Sequence, residues 1–376
     1  MSGIYIHIPF CKKICYYCDF HFSLNLFHKE QFITTLLKEI ALQKDYLSDK
    51  KIETVYFGGG TPSILSAQEI NQIFDEINNY FDLSNVGEIT LEANPDDLSL
   101  EYLQALKQTK VNRLSIGIQS FFDEDLLLMN RRHSAIEAKT CVENAKKTGF
   151  ENITIDLMYG LPNLSLERWK ENINHALSLQ VNHISAYHLS IEKQTAFNKF
   201  HNDEKITLPN EDLSELQYTT LVEILKKNGF IHYEISNFAR KGFEAVHNSN
   251  YWKQKTYLGL GPSAHSFNGS SRQWNISNNL KYISSLESNF INFEVEELSE
   301  KERFNEYILT SLRTIWGVDI AYIKNTFPQK YCSIFIAKME EYVRQGHAVQ
   351  NDATISLTNK AMFISDSIIS DVFIAD

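Results

Sequence analysis

Short runs of apolar, β-favouring residues alternate along this chain with longer stretches in which apolar positions recur at helical spacing. The runs predict strands at Ile4 to Ile8, Thr54 to Phe57, Glu88 to Glu92, Arg113 to Ile118, Ile153 to Leu157 and His183 to Leu189. Between them the spacing predicts amphipathic helices over Glu30 to Leu42, Ala67 to Asn79, Ala135 to Lys147 and Leu166 to Leu177. Strand and helix in alternation is the pattern of successive βα units around a parallel sheet. Six such units are too few for a closed eight-fold barrel and enough for an open, three-quarter one. Near Leu298 the pattern changes: it turns helical through Arg313, passes Trp316-Gly317-Val318, and ends in a β-like Thr354-Ile355-Ser356-Leu357 before a helix near Ala361 to Val372. The expected organisation is an α/β core over residues 1–290 and a mainly helical, winged-helix-like unit over 291–376.

In parallel βα architectures chemistry gathers at the carboxyl ends of the strands. Here those ends carry a cysteine loop, Gly58-Gly59-Gly60-Thr61-Pro62, Glu92-Ala93-Asn94-Pro95, Gln119-Ser120 and Asp156, so successive units point special residues at one face. The cysteine loop, Cys11-Lys12-Lys13-Ile14-Cys15-Tyr16-Tyr17-Cys18, is the most informative. Three closely spaced thiolates can hold three irons of a [4Fe-4S] cluster, whereas an electron-transfer cluster takes a cysteine on every iron. The fourth iron is then open to a small molecule. Structural zinc is the competing assignment, with His7, His21 or Asp19 completing four ligands. Consecutive glycines serve a tight turn or let a ligand approach the backbone. Glu92 and Asp156 also suit helix caps or ion pairs, and Gln119 a satisfied polar site.

Composition narrows the classes. A chain of 376 residues, 43% hydrophobic, can bury a large core. No apolar run approaches the length of a transmembrane helix, so no integral span is expected; peripheral membrane contact is left open. The formal net charge of −11 opposes a nucleic-acid partner. The C-terminal unit, with 13 acidic and 8 basic residues, is expected to cover the barrel or meet a protein and not to read DNA. Five cysteines, an odd number without a secretory signal ahead of them, argue against a disulfide framework and for a cytoplasmic location. Cys141 and Cys332, far from the loop, are expected to be buried small hydrophobes.

The C-x3-C-x2-C loop after a first strand resembles the radical S-adenosylmethionine (SAM) family, whose cores are partial (β/α)6 barrels of TIM type and whose open iron chelates the methionine end of the cofactor. A narrower resemblance follows from Tyr5-Ile6-His7-Ile8-Pro9-Phe10-Cys11, Phe57-Gly58-Gly59-Gly60-Thr61-Pro62, Glu92-Ala93-Asn94-Pro95, Gly117-Ile118-Gln119-Ser120 and Asp156-Leu157-Met158-Tyr159-Gly160-Leu161-Pro162. These are similar to the family of oxygen-independent coproporphyrinogen III oxidases and HemW heme chaperones. The resemblance implies a cluster on Cys11, Cys15 and Cys18, and SAM contacts from Gly59, Gly60, Thr61, Glu92, Gln119, Arg131 and Asp156, with Tyr5 beside cluster and cofactor. Asn130-Arg131-Arg132-His133 offers two arginines for one role, in which a planar guanidinium engages both oxygens of the cofactor's carboxylate.

Three departures from the oxidase favour the HemW branch. Phe20 stands where the oxidase has a further cysteine, only four residues precede Tyr5 where the oxidase has an N-terminal extension, and Tyr233-Glu234-Ile235-Ser236-Asn237-Phe238 is followed by His247-Asn248-Ser249-Asn250-Tyr251-Trp252. The last segment resembles the HNxxYW heme motif, which implies His247 as an axial ligand and a heme-motif region near residues 230–270; a neutral imidazole suits heme iron, and Tyr251 and Trp252 offer flat apolar faces. His265 is a second candidate ligand. The implied function is a heme chaperone that binds a [4Fe-4S] cluster, SAM and heme and delivers heme to client hemoproteins, whether or not it is also an enzyme. The alternatives are anaerobic oxidation of coproporphyrinogen III and non-catalytic heme storage with a structural cluster.

Overall fold

The structure is a computed structural model that describes residues 1–375. Six parallel strands form its centre: β1 (Ser2–Ile8), β2 (Ile52–Gly59), β3 (Glu88–Ala93), β4 (Arg113–Gln119), β5 (Asn152–Tyr159) and β6 (His183–His188). They lie in chain order in the sheet, joined by α1 (Lys29–Leu42), α2 (Ala67–Tyr80), α3 (Leu100–Leu106), the pair α4 (Asp123–Leu128) and α5 (Ala135–Lys147), and α6 (Leu166–Ser178). Helix starts follow local chemistry. Ser66 and Ser134 close capping boxes with Glu69 and Glu137, and Ser165 caps α6 through the Arg168 amide.

Residues of alternate parity on each strand take different faces. Ile4, Ile6 and Ile8, Val55 and Phe57, Leu114, Ile116 and Ile118, and Ile153, Ile155 and Leu157 are at most 1% exposed and form the layer beneath the helices. The other parity reads Tyr5 and His7, Thr54, Tyr56 and Gly58, Thr90 and Glu92, Arg113, Ser115 and Gly117, Thr154 and Asp156. Strand register brings these into neighbouring positions on the inner face, so the barrel interior is polar where a parallel sheet packed on both faces would be apolar.

Beyond β6 come α7 (Ala196–Asn202), α8 (Glu211–Lys227), β7 (Ile231–Glu234) and β8 (Asn237–Ala239), with β8 antiparallel to β6. The chain then crosses to the far edge through α9 (Val246–Trp252), and β9 (Tyr257–Leu260) pairs parallel with β1. β10 (His265–Phe267), β11 (Ser271–Asn275), α10 (Asn279–Glu287) and β12 (Phe293–Glu297) complete a twelve-stranded sheet, order β12-β11-β10-β9-β1-β2-β3-β4-β5-β6-β8-β7. β12 lies past residue 290 yet pairs with β11, so strand pairing carries the large sheet to Glu297.

The remaining residues form α11 (Glu300–Leu312), β13 (Val318–Asp319), α12 (Ile320–Thr326), α13 (Gln329–Arg344), β14 (Ala348–Gln350), β15 (Thr354–Leu357) and α14 (Ser365–Val372), with a separate three-stranded sheet, order β13-β15-β14. Phe304 packs edge-on against Phe327 and Phe335 at its centre. This part is mainly helical, as expected. It joins the barrel through the Ile315 N–H, which donates to the Tyr233 carbonyl (3.1 Å), and through Arg272, which grips Glu306 with two bonds (2.9 and 2.8 Å). Among the described residues no helix is long and apolar enough to cross a membrane.

Candidate active site

The cysteine loop leaves β1 and is closed at its base: the Cys11 N–H donates to the Ser23 carbonyl (3.0 Å) and the Ser23 N–H to the Pro9 carbonyl (2.8 Å). Its tip is tied to neighbouring units. The Tyr16 N–H donates to the Met129 carbonyl (3.1 Å), the Phe197 N–H to the Tyr16 carbonyl (2.9 Å) and the Asn130 amide to the Ile14 carbonyl (2.8 Å). From below, His7 Nε2 donates to the His21 carbonyl at 2.8 Å. A loop fixed at so many points presents its side chains from a rigid scaffold.

Cys11, Cys15 and Cys18 are free thiols, partly exposed, and all line one cavity of about 460 Å³ at the carboxyl ends of the parallel strands. The Thr61 hydroxyl donates to Cys11 Sγ (3.4 Å) and Arg131 Nη1 to Cys15 Sγ (3.3 Å). Burial pushes the Cys11 thiol up and the Cys18 thiol up to about 12, so both ionise readily only against a cation. Among the described residues no three His, Cys, Asp or Glu side chains gather closely enough for a single metal ion. A donor set of three thiols around an open cavity, with a cationic guanidinium beside it, fits a polynuclear cluster of net negative charge.

Gly59, Gly60, Thr61, Glu92, Gln119, Arg131 and Asp156 line the same cavity. Gly59 has φ +107°, and a Cβ there would stand 2.7 Å from the His7 ring, so the turn needs glycine on both counts. Gln119 ends β4 in the left-handed region, φ 67°, where the register with β5 shifts. That backbone strain sits where Gln119 meets the cavity. Of the two neighbouring arginines, Arg131 lines the cavity and Arg132 does not. Arg131 Nη2 donates to Asn94 Oδ1 (2.7 Å) and the Gly117 carbonyl (2.6 Å), fixing it on the cavity wall. Arg132 pairs instead with Asp96 at 2.9 Å.

Glu92 accepts from the Tyr56 hydroxyl at 2.7 Å. Burial raises its carboxyl to about 7 and that of Asp156 to about 6. Asp156 lies within β5, which continues to Tyr159, and so reaches the cavity as an inward-facing strand residue and not from the loop after it. Tyr5 does not line the cavity; its ring stacks on Tyr56 (6.0 Å, 25°) and its hydroxyl is 3.3 Å from His7 Nδ1. Tyr17 from the cysteine loop and Asn94 from the Glu92 segment also line the cavity, and so do Gly117, Tyr187 and His188, which the sequence did not single out for it. Gly117 shares strand parity with Gln119, and Tyr187 with Ser185 and His183, so alternation along β4 and β6 carried that signal.

His247 lies apart from this cavity, on α9 at the amino ends of the strands. It is 2% exposed. Nδ1 is 2.8 Å from Thr54 Oγ1 and Nε2 is 2.8 Å from the Tyr251 hydroxyl, and burial lowers the ring to about 3. Both nitrogens of a neutral ring are thus engaged within the fold, one by Thr54 and one by Tyr251. Tyr251 and Trp252 do face a second, smaller cavity of about 170 Å³, shared with Lys255, Tyr257, Phe267 and Arg272. His265 is exposed on β10, stacked on Trp274.

Residues 5–176 match the model of the Radical SAM superfamily. The chain is 34% identical over 376 residues to the heme chaperone HemW of Lactococcus lactis, covering 100% of this chain and 98% of that protein. It is 33% identical to HemW of Bacillus subtilis, covering 98% of both. Among solved structures, coproporphyrinogen III oxidase (HemN) from Escherichia coli, a radical SAM enzyme, superposes with a TM-score of 0.84 at 21% identity over 99% of this chain and 90% of that one, a likeness of fold. Matched from end to end at this identity, the chain belongs to the radical SAM superfamily and, within it, to the HemW family.

Proposed function

We propose that this chain is a heme chaperone that holds one [4Fe-4S] cluster on Cys11, Cys15 and Cys18, binds SAM in the same cavity and passes heme to client hemoproteins. The observation that carries the reading is the convergence of three thiols, the Gly59-Gly60-Thr61 turn, Glu92, Gln119, Arg131 and Asp156 on one cavity of about 460 Å³, in a chain matched throughout its length by HemW proteins. A bound cluster of this kind supplies one electron and an iron site for SAM. The protein supplies the rest. Glu92 and Asp156 offer carboxylates to the ammonium or hydroxyl groups of SAM, Arg131 offers a guanidinium to its carboxylate, and the glycine turn lets the backbone approach. Phe20, 67% exposed, stands at the mouth where the oxidase has a cysteine.

For heme, the buried state of His247 favours a contact on the outer face of α9, where Tyr251, Trp252, Tyr257 and Phe267 give flat apolar surface beside the Lys255–Glu53 and Arg272–Glu306 ion pairs. The test is a heme titration of the anaerobically reconstituted protein followed by mixing with an apo-hemoprotein, alongside an assay for coproporphyrinogen III oxidation. The reading predicts a Soret band, its transfer to the acceptor, and no protoporphyrinogen IX. Oxidation of coproporphyrinogen III, or no heme binding at all, would contradict it.

A further inference from the structure

The structure assigns His247 an inward role: we propose that it is a positioning residue for the SAM-site carboxylate Glu92, acting through the ring of Tyr56. The inference rests on the reading that the cavity above binds SAM.

Helix α9 is locked across the amino ends of β2 and β3. The Val246 and His247 N–H groups each donate to Glu88 at 2.9 Å, and the Asn250 amide donates to Glu53 at 2.9 Å. From this base the His247 ring enters the barrel interior. It stacks on Tyr56 with centroids 5.0 Å apart and planes at 25°, and the Tyr5 ring flanks both, 6.0 Å from Tyr56 and 6.5 Å from His247. Tyr56 points its hydroxyl at Glu92 (2.7 Å). A Cβ on Gly58 would come within 2.9 Å of both tyrosine rings, so the ring of Tyr56 is confined from that side as well. Strand geometry fixes the Cβ of Tyr56 but leaves its side-chain torsions to be set by what packs on the ring. His247, Tyr5 and Gly58 select the rotamer that reaches Glu92.

The charged and titratable groups around Glu92 are Tyr5 on β1, Tyr56 on β2, Arg113 on β4, Asp156 on β5, Tyr187 on β6 and Tyr251 on α9. Arg113, 1% exposed, donates to Thr90 (3.3 Å) and to Thr154, each one pleat below Glu92 and Asp156, and lies 3.9 Å from Glu88. Tyr56 is the side chain that hydrogen-bonds the Glu92 carboxylate directly, and a donor to the charged form favours that form. Removing the ring beneath Tyr56 takes this donor away. Glu92 then stays protonated to higher pH and is a poorer partner for the SAM ammonium.

The test measures SAM affinity of the reconstituted full-length protein by equilibrium dialysis, between about pH 6 and 9, with a heme titration in parallel. His247→Ala is expected to weaken SAM about tenfold and to raise the pH of half-maximal affinity by about one unit. Tyr56→Phe, which removes only the hydroxyl, should give the same two changes, and the double variant no more than either single one. His247→Phe keeps a ring under Tyr56 and cannot ligate iron, so it should restore affinity to within about twofold of the parent and leave the heme spectrum unaltered. The proposal is overturned if Tyr56→Phe or His247→Ala binds SAM as the parent does, or if His247→Phe behaves like His247→Ala. A parent protein with a cluster but no SAM binding takes down the cavity assignment and this inference together.

Discussion

At the scale of single residues, the site sets stability against function. Glu92 is carried by a strand into a polar but confined interior, where burial raises its carboxyl from the ordinary range to about 7. The sign follows from linkage: a carboxyl whose folded value lies above its unfolded one penalises the folded state when ionised, so the penalty is full above about pH 7 and gone below about pH 4.5. Glu92→Gln is therefore expected to raise the melting temperature by a few degrees at about pH 8 and to leave it unchanged at about pH 4. It should also weaken SAM binding by about tenfold or more, since a charged hydrogen-bond partner is replaced by a neutral one. Calorimetry at the two pH values, with SAM dialysis, checks both. A melting temperature that falls at the higher pH would mean that Glu92 is held by groups that outweigh its burial.

Among the elements, the cysteine loop and the glycine turn depend on each other through His7. That ring donates to the carbonyl of His21, beyond the last cysteine, and occupies the space into which a Cβ on residue 59 would project. Gly59→Ala is expected to cost about 1–3 kcal/mol, from the left-handed backbone and the collision with His7, and to loosen the loop. Thermal unfolding together with iron retention during gel filtration measures this; a variant as stable and iron-rich as the parent would show the contact to be slack. The same scale shows what was legible beforehand. The six parallel strands and their helices were marked by apolar runs and helical spacing, and the observed bounds, such as Ala135–Lys147 for α5, follow them closely. The outer strands were not, because β7 to β12 are short and β12, Phe-Glu-Val-Glu-Glu, is exposed throughout. The burial of His247 on α9 is not legible in the sequence, because it depends on partners, Thr54 and Tyr251, that are distant in sequence or invisible without a fold. Arg113 was hidden for the same reason: arginine is seldom fully buried, and only the pairing of β3, β4 and β5 places Thr90 and Thr154 on either side of it.

The whole molecule is a polar-lined, open barrel with its two ends put to different uses. The carboxyl ends of the strands collect thiols, glycines, carboxylates and Arg131 around one cavity, and the amino ends are closed by α9, which carries the His247 to Trp252 segment. The inner rings of Tyr5, Tyr56 and His247 join the two ends. Of the C-terminal elements, α11 packs against α9, with Arg272 and Glu306 pinning the two parts together. The central claim is that the upper end binds a cluster with one iron left for SAM. Its most direct test is electron paramagnetic resonance of the reduced, anaerobically reconstituted protein with and without SAM, on samples whose iron and sulfide have been assayed. The account predicts about four iron and four sulfide per chain, lost together in Cys15→Ser, and a cluster signal that changes on adding SAM. Stoichiometric zinc in place of iron, or a cluster signal unmoved by saturating SAM, would contradict it.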